Sequence, residues 1–207
     1  MTVNSEIYDE IAYCYDGTLE GLLCSIFTAY EMHENPTDVI CEDVLQPRLS
    51  QRIAVIDTNL EKALRVKNGL KRKAGWSSYN AVLKAACSAR PDAGTIAYKF
   101  VRYAMDEHKG KRRPYSNISH PAVSPLFELN RSISQECEHM RQFIRFEHLK
   151  GDDGNIWYAK CNPRDSVIPL VMNHFVERFS VQPFIIHDEN HDIAGVFDGT
   201  TWYLVRT

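Results

Sequence analysis

The apolar positions of the chain change period several times, and each change marks an element. Residues 11–15 form a short continuous apolar run that Asp16-Gly17 closes in the way a strand is usually closed. A helical period follows: Leu19, Leu22, Leu23, Ile26, Phe27 and Tyr30 share one face, Thr18 stands at the N-cap, and Glu20 puts a carboxylate in the first turn, where the helix dipole favours it. The pattern predicts strand, tight turn and buried amphipathic helix. A second strand is expected over residues 39–45, ended by Pro47. Leu60, Ala63, Leu64 and Leu70, interleaved with Lys62, Arg65 and Lys67, then predict a helix that is apolar on one side and basic on the other, ended by Gly69 or Gly75.

Two short helices come next, one over residues 79–88 capped by Ser77 or Ser78, one opened by Pro91-Asp92 and running to about Asp106. A third helical period lies between His120 and Gln142, and strict alternation takes over at residues 143–149. A hairpin turn at 151–155, a returning strand at 156–161, a helix through Phe179 with Pro169 confined to its first turn, and short strands at 184–189, 193–198 and 201–205 give a β-β-α-β-β-β tail. The expected fold is α+β: a single domain over residues 1–207, a mostly antiparallel sheet built from that tail and joined by residues 11–15, and a cluster of helices from the middle of the chain on one face.

Composition narrows the class without naming an activity. The chain holds 207 residues, 44% of them hydrophobic, which is enough for one substantial core. No apolar run approaches the ~20 residues of a membrane helix, and the first ten residues are polar and acidic, so a cytoplasmic protein without membrane insertion is expected. The six cysteines are scattered, with no Cys-x-x-Cys, so no metal or cofactor is indicated by them and reduced thiols are expected. Net charge is only -3, but residues 1–47 carry ten carboxylates and no Lys or Arg, whereas residues 61–113 hold fourteen Lys or Arg against four Asp or Glu. A basic tract of this kind is a solvated face, a partner for the acidic N-terminal third, or a track for a phosphate backbone.

Candidate chemistry comes from constellations, because the chain has no Gly-x-Gly-x-x-Gly, P-loop, His-Glu-x-x-His or Gly-x-Ser-x-Gly. Asp16 either shapes a turn or faces a cleft at a strand end. Lys109, Lys111, Arg112 and Arg113 crowd a Gly- and Pro-containing loop, and Arg65, Lys67, Lys71, Arg72 and Lys73 line the basic helix; both groups are candidates for phosphate contact. Glu136, Glu138, His139, Arg141 and Arg145 meet at a helix-to-strand junction, as an anion site between Arg141 and Arg145 or as surface ion pairs. His187-Asp188, with His174 and Glu177 before them, form an acid–base candidate or are structural. Trp76, Trp157 and Trp202 are expected to pack in the core or at its rim, with base-stacking platforms as the alternative.

In order, Tyr15-Asp16-Gly17-Thr18-Leu19-Glu20-Gly21-Leu22-Leu23, Arg65-Val66-Lys67-Asn68-Gly69-Leu70, Glu136 with Phe143-Ile144-Arg145-Phe146, Tyr158-Ala159, His174 through Phe179 and Ile185-Ile186-His187-Asp188 resemble the bacterial family of domain of unknown function 4130. The resemblance spans nearly the whole chain and implies a place in DNA metabolism or repair. Members stand beside a radical-SAM protein or are fused ahead of a uracil-DNA-glycosylase-like domain. Glu138-His139 and Gln142 depart from the family pattern, a His-Arg pair and a Gly, and no catalytic residue carries over. The leading expectation is therefore a non-sequence-specific binder of single- or double-stranded DNA, accessory to a radical-SAM partner. One alternative is an enzyme acting on DNA or a modified nucleotide through a cleft containing Asp16, Glu136, Arg145, His187 and Asp188; another is a protein-interaction module.

Overall fold

The structure, a computed structural model, describes residues 10–46, 48–108, 110, 113–151 and 154–207. Lys109, Lys111 and Arg112 of the basic loop, and Asp152-Asp153 of the expected hairpin turn, lie outside the described residues. The chain divides into two compact units, residues 1–86 with 90–130, and residues 87–89 with 131–207.

The first unit is built on β1 (Glu10–Tyr15), α1 (Leu19–Glu31), β2 (Asp38–Cys41) and β3 (Gln51–Val55). Both β2 and β3 pair with β1 in parallel, giving the order β2-β1-β3. This corrects the expectation that residues 11–15 join a mostly antiparallel C-terminal sheet. The physical reason is the connections: α1 returns the chain parallel from β1 to β2, the link from β2 to β3 carries it back across to the other side of β1, and the central strand is then buried on both faces. Accordingly Ala12, Tyr13, Cys14 and Tyr15 are all buried, a continuous run and not an alternation. The expected strand at 39–45 is shorter, because residues 42–44 close into a single 3₁₀ turn.

Helices α2 (Leu60–Ala74), α3 (Trp76–Ala85) and α4 (Ala93–Arg102) complete the unit with the first part of α5 (Ser124–Phe143). Leu22, Leu23 and Ile26 of α1, Leu70 of α2 and Phe100 of α4 are sealed from solvent and form its core. Helix α1 packs on α2, and α4 packs on β2, where the Thr95 hydroxyl bonds to the Val39 backbone.

The second unit holds a five-stranded sheet, β4 (Glu147–Gly151), β5 (Gly154–Cys161), β6 (Phe184–Asp188), β7 (Ile193–Phe197) and β8 (Trp202–Arg206), in that spatial order. The strand pattern of the tail is as read from the sequence, but the sheet is mixed: β5 and β6 run parallel and the other pairs antiparallel. The cause is again a helical crossover, α6 (Ile168–Phe179), with Pro169 in its first turn. One face of the sheet lies under α6. There Phe175 and Phe184 are fully buried among Phe146, Phe179 and Phe197, with ring centres 4.5–6.5 Å apart. Gly195 is required at this contact, because a Cβ would come within 2.4 Å of the Met172 sulfur and 2.8 Å of Ile168. The opposite face carries Glu147, Tyr158, Lys160, Ile185 and His187, which the strand registers place side by side.

Candidate functional site

Two surfaces collect the candidate residues, one in each unit. In the first unit, α2 begins at the Asn59 cap and ends at Gly75, whose φ of 89° permits an immediate restart as α3. That junction leaves Trp76 65% exposed, so it is neither core nor rim packing as expected. The Lys71 ammonium lies 4.2 Å from the Trp76 ring centre and 4.4 Å from that of Tyr79, and Lys67 reaches Tyr79 at 5.7 Å. Arg113 packs its guanidinium against Gly75, which joins it to the last turn of α2. Arg65 covers the Phe27 ring at 5.1 Å.

Among the described residues the ion pairs separate paired cations from unpaired ones. Glu31 takes Lys62, Glu34 takes Arg52, and Asp38 takes Arg48, so these three carboxylates of the N-terminal third are met by cations at or before residue 62. Among the described residues Arg65, Lys67, Lys71, Arg72 and Lys73 have no carboxylate partner. The surface therefore keeps an uncompensated positive face with one exposed indole.

Asp16, at the end of β1, is taken up by local structure. Its Oδ1 accepts from the Thr18 amide at 3.0 Å and the Thr18 hydroxyl at 2.6 Å, and its Oδ2 accepts from Thr58 at 2.7 Å. Gly17 turns the chain with a φ of 77°, and Thr18 then accepts from Gly21 to cap α1. Partial burial pushes the Asp16 carboxyl upward, but the bonds from Thr18 and Thr58 outweigh it and hold the group below the usual carboxylate range. Asp16 thus ties β1, α1 and the β3–α2 linker together.

In the second unit an open cleft of about 750 Å³ runs between the C-terminal part of α5, the segment after it, and strands β4 and β5. Glu136, His139 and Phe143 form its helical wall, Arg145 and Glu147 its lip, and Tyr158, Lys160 and Arg164 its far side. Three of the sequence candidates, Glu136, His139 and Arg145, therefore share one cavity. His187 stands beside it on the same sheet face, with the Tyr158 hydroxyl 2.9 Å from its Nδ1. Lys160 pairs with Glu189 at 2.6 Å; this bond raises the ammonium's affinity for its proton and lowers that of the carboxyl. Glu136 accepts from the Arg164 amide at 2.5 Å, and its other carboxylate oxygen lies 3.5 Å from the Arg164 guanidinium. Burial pushes the Cys161 thiol up to about 12, so this cleft-lining cysteine is protonated and not a nucleophile at neutral pH.

Two expected groupings are not brought together. His187 and Asp188 point to opposite sheet faces, as neighbours on a strand must. Asp188 is fully buried and holds the β6–β7 turn, accepting from Asn190 at 3.0 Å and bonding His191 Nδ1 at 2.7 Å. Arg141 pairs with Glu138 at 2.5 Å, whereas α5 ends at Phe143 and leaves Arg145 beyond the helix, so the i, i+4 spacing no longer places the two arginines on one face. Among the described residues no three His, Cys, Asp or Glu side chains converge as a metal site. The sequence places Trp76 with the packing tryptophans and gives no sign of the His139–Phe143 ring pair, whose centres are 4.7 Å apart. The signal for Trp76 was its place directly after a helix-ending glycine and a run of cations.

A family model described as a domain of unknown function, DUF4130, matches residues 91–204. The cleft of the second unit lies wholly inside the matched residues, and α2 with Trp76 lies ahead of them. No curated protein matches the chain.

Proposed function

The chain belongs to the DUF4130 family, and from that premise we propose that it is a nucleic-acid-binding accessory protein of DNA metabolism or repair, gripping the phosphate backbone without reading sequence and working beside a radical-SAM enzyme. The observation that carries the reading is the surface of α2 and α3. Five cations from Arg65 to Lys73 lack carboxylate partners among the described residues, and Lys71 stands over the exposed ring of Trp76. Ammonium and guanidinium groups neutralise phosphates whatever the base sequence, and an exposed indole adds a stacking surface for an unpaired base. The radical-SAM partner and the link to repair come from the family resemblance.

The test is titration of the purified protein with labelled single- and double-stranded DNA at low salt. Binding is expected, and the double variant Lys71→Glu/Arg72→Glu is expected to lower affinity on the order of tenfold or more. No binding at low salt, or binding unaffected by the variant, contradicts the reading.

One observation favours a second reading, an enzyme acting on DNA or a modified nucleotide. The Tyr158–His187 hydrogen bond places two proton-transferring groups beside the cleft that holds Glu136 and Arg145. Under that reading, mass spectrometry of oligonucleotides incubated with the protein shows a product that Tyr158→Phe and His187→Gln abolish. Unchanged oligonucleotides across a panel of modified bases contradict it.

A further inference from the structure

A second, smaller cavity of about 390 Å³ lies against the outer side of α5, and it shares His139 and Phe143 with the main cleft. These two rings, tilted by 48°, therefore stand as a ridge with open space on both sides. Phe143 is 62% exposed on it. Single exposed apolar side chains are common on proteins, but this one lines the cleft and borders a shallow depression along α5.

The surroundings of the ridge define what it takes. On the cleft side the exposed Arg145 makes no ion pair or hydrogen bond among the described residues. Tyr158 and Glu136 line the same space, and although the hydroxyl is bonded to His187 and the carboxylate to Arg164, each keeps further hydrogen-bonding capacity for the edge of a ring. The exposed face of the Phe143 ring, polar groups beside it and a guanidinium without an ion pair among the described residues match a flat heterocycle carrying an anionic group. A neutral apolar ligand leaves Arg145 unused, and a simple anion leaves Phe143 unused.

We infer that the second-unit cleft binds a nucleobase with its phosphate, the base stacked on Phe143 beside His139 and the phosphate held by Arg145. The base comes either from a free mononucleotide or from an unpaired position in a strand. The inference rests on the nucleic-acid reading for its ligand class and adds to it a defined pocket on the other unit. Stacking on Phe143 leaves its far side open to the smaller cavity, so in a strand the ridge separates two neighbouring bases.

The test uses the fluorescence quenching of 2-aminopurine, offered as the deoxynucleoside monophosphate and, separately, within a single-stranded oligonucleotide. Wild-type protein is expected to quench at least one probe. Quenching of the monophosphate identifies a nucleotide pocket, quenching of the oligonucleotide alone identifies a strand-borne base, and both support the site. Phe143→Ala is expected to weaken the quenched complex roughly tenfold to a hundredfold, the range for loss of a stacking ring, while Phe143→Trp retains it. Because Phe143 is largely exposed, Phe143→Ala is expected to keep the wild-type melting temperature, and Arg145→Ala provides a second variant with the same direction of effect. No quenching of either probe by wild type, or wild-type quenching by both Phe143→Ala and Arg145→Ala, overturns the proposal. Lys71→Glu/Arg72→Glu separates the two readings: it is expected to reduce DNA affinity while leaving monophosphate quenching intact. If wild type fails to bind duplex DNA yet quenches the monophosphate, the α2 reading falls and the pocket stands.

Discussion

Asp16 shows how one side chain's bonding assigns its work. Both carboxylate oxygens are engaged by Thr18 and Thr58, so its first task is to hold a strand end against a helix start. Asp16→Ala removes those acceptors and is expected to cost about 1 kcal/mol in urea denaturation at neutral pH. Its carboxyl is held below the usual range in the folded protein, so the stability it contributes is fully present above the unfolded value near ~3.9 and is lost as pH falls through the folded value. The wild-type advantage over Asp16→Ala is therefore expected to be flat from about pH 5 to 8 and to shrink below about pH 4. An advantage that grows in acid contradicts this assignment. The turn at Asp16-Gly17 and the Thr18 cap were legible because capping uses residues three apart in sequence. The bond from Thr58, forty-two residues on, was not legible, because nothing local encodes it.

At the scale of elements, the sequence periods located the helices well and the strand pairings poorly. Helix α1 declared itself through Leu19, Leu22, Leu23 and Ile26, and α6 through Ile168, Val171, Met172 and Phe175. Strand β3 escaped, because Gln-Arg-Ile-Ala-Val is short, begins with polar residues and is only partly buried. Parallel pairing of β5 with β6 also escaped, since strand direction is set by the crossover through α6 and not by the residues of either strand. Alternation did contain the separation of His187 from Asp188, and it accounts for one facing Tyr158 and the other holding a turn. The α6 crossover depends on Gly195 leaving room for Met172 and Ile168. Gly195→Val is expected to overpack this contact and to destabilise by about 1–3 kcal/mol, read as a lower urea midpoint with unchanged slope. A variant as stable as wild type contradicts the close packing described.

Across the whole molecule, charge is sorted before it is exposed. The N-terminal carboxylates Glu31, Glu34 and Asp38 are matched by Lys62, Arg52 and Arg48, and the cations that follow along α2 are left over. Charge counting along the sequence revealed the imbalance, but only the ion pairs separated neutralised cations from uncompensated ones. The unit that carries α2 and the unit that carries the cleft each hold one exposed aromatic beside cations, Trp76 with Lys71 and Phe143 near Arg145. Under the proposed function the first unit grips the backbone and the second captures a base.

The most direct measurement of the central claim is the salt dependence of DNA binding. If Lys67, Lys71, Arg72, Lys73 and Arg113 each neutralise a phosphate, the plot of log affinity against log salt for duplex DNA has a slope of about -4 to -5, at ≈ 0.9 per phosphate. Lys71→Ala/Arg72→Ala is expected to make that slope shallower by about 2. A slope near zero for wild type, or the same slope in the double variant, contradicts the assignment of α2 as a phosphate-binding surface.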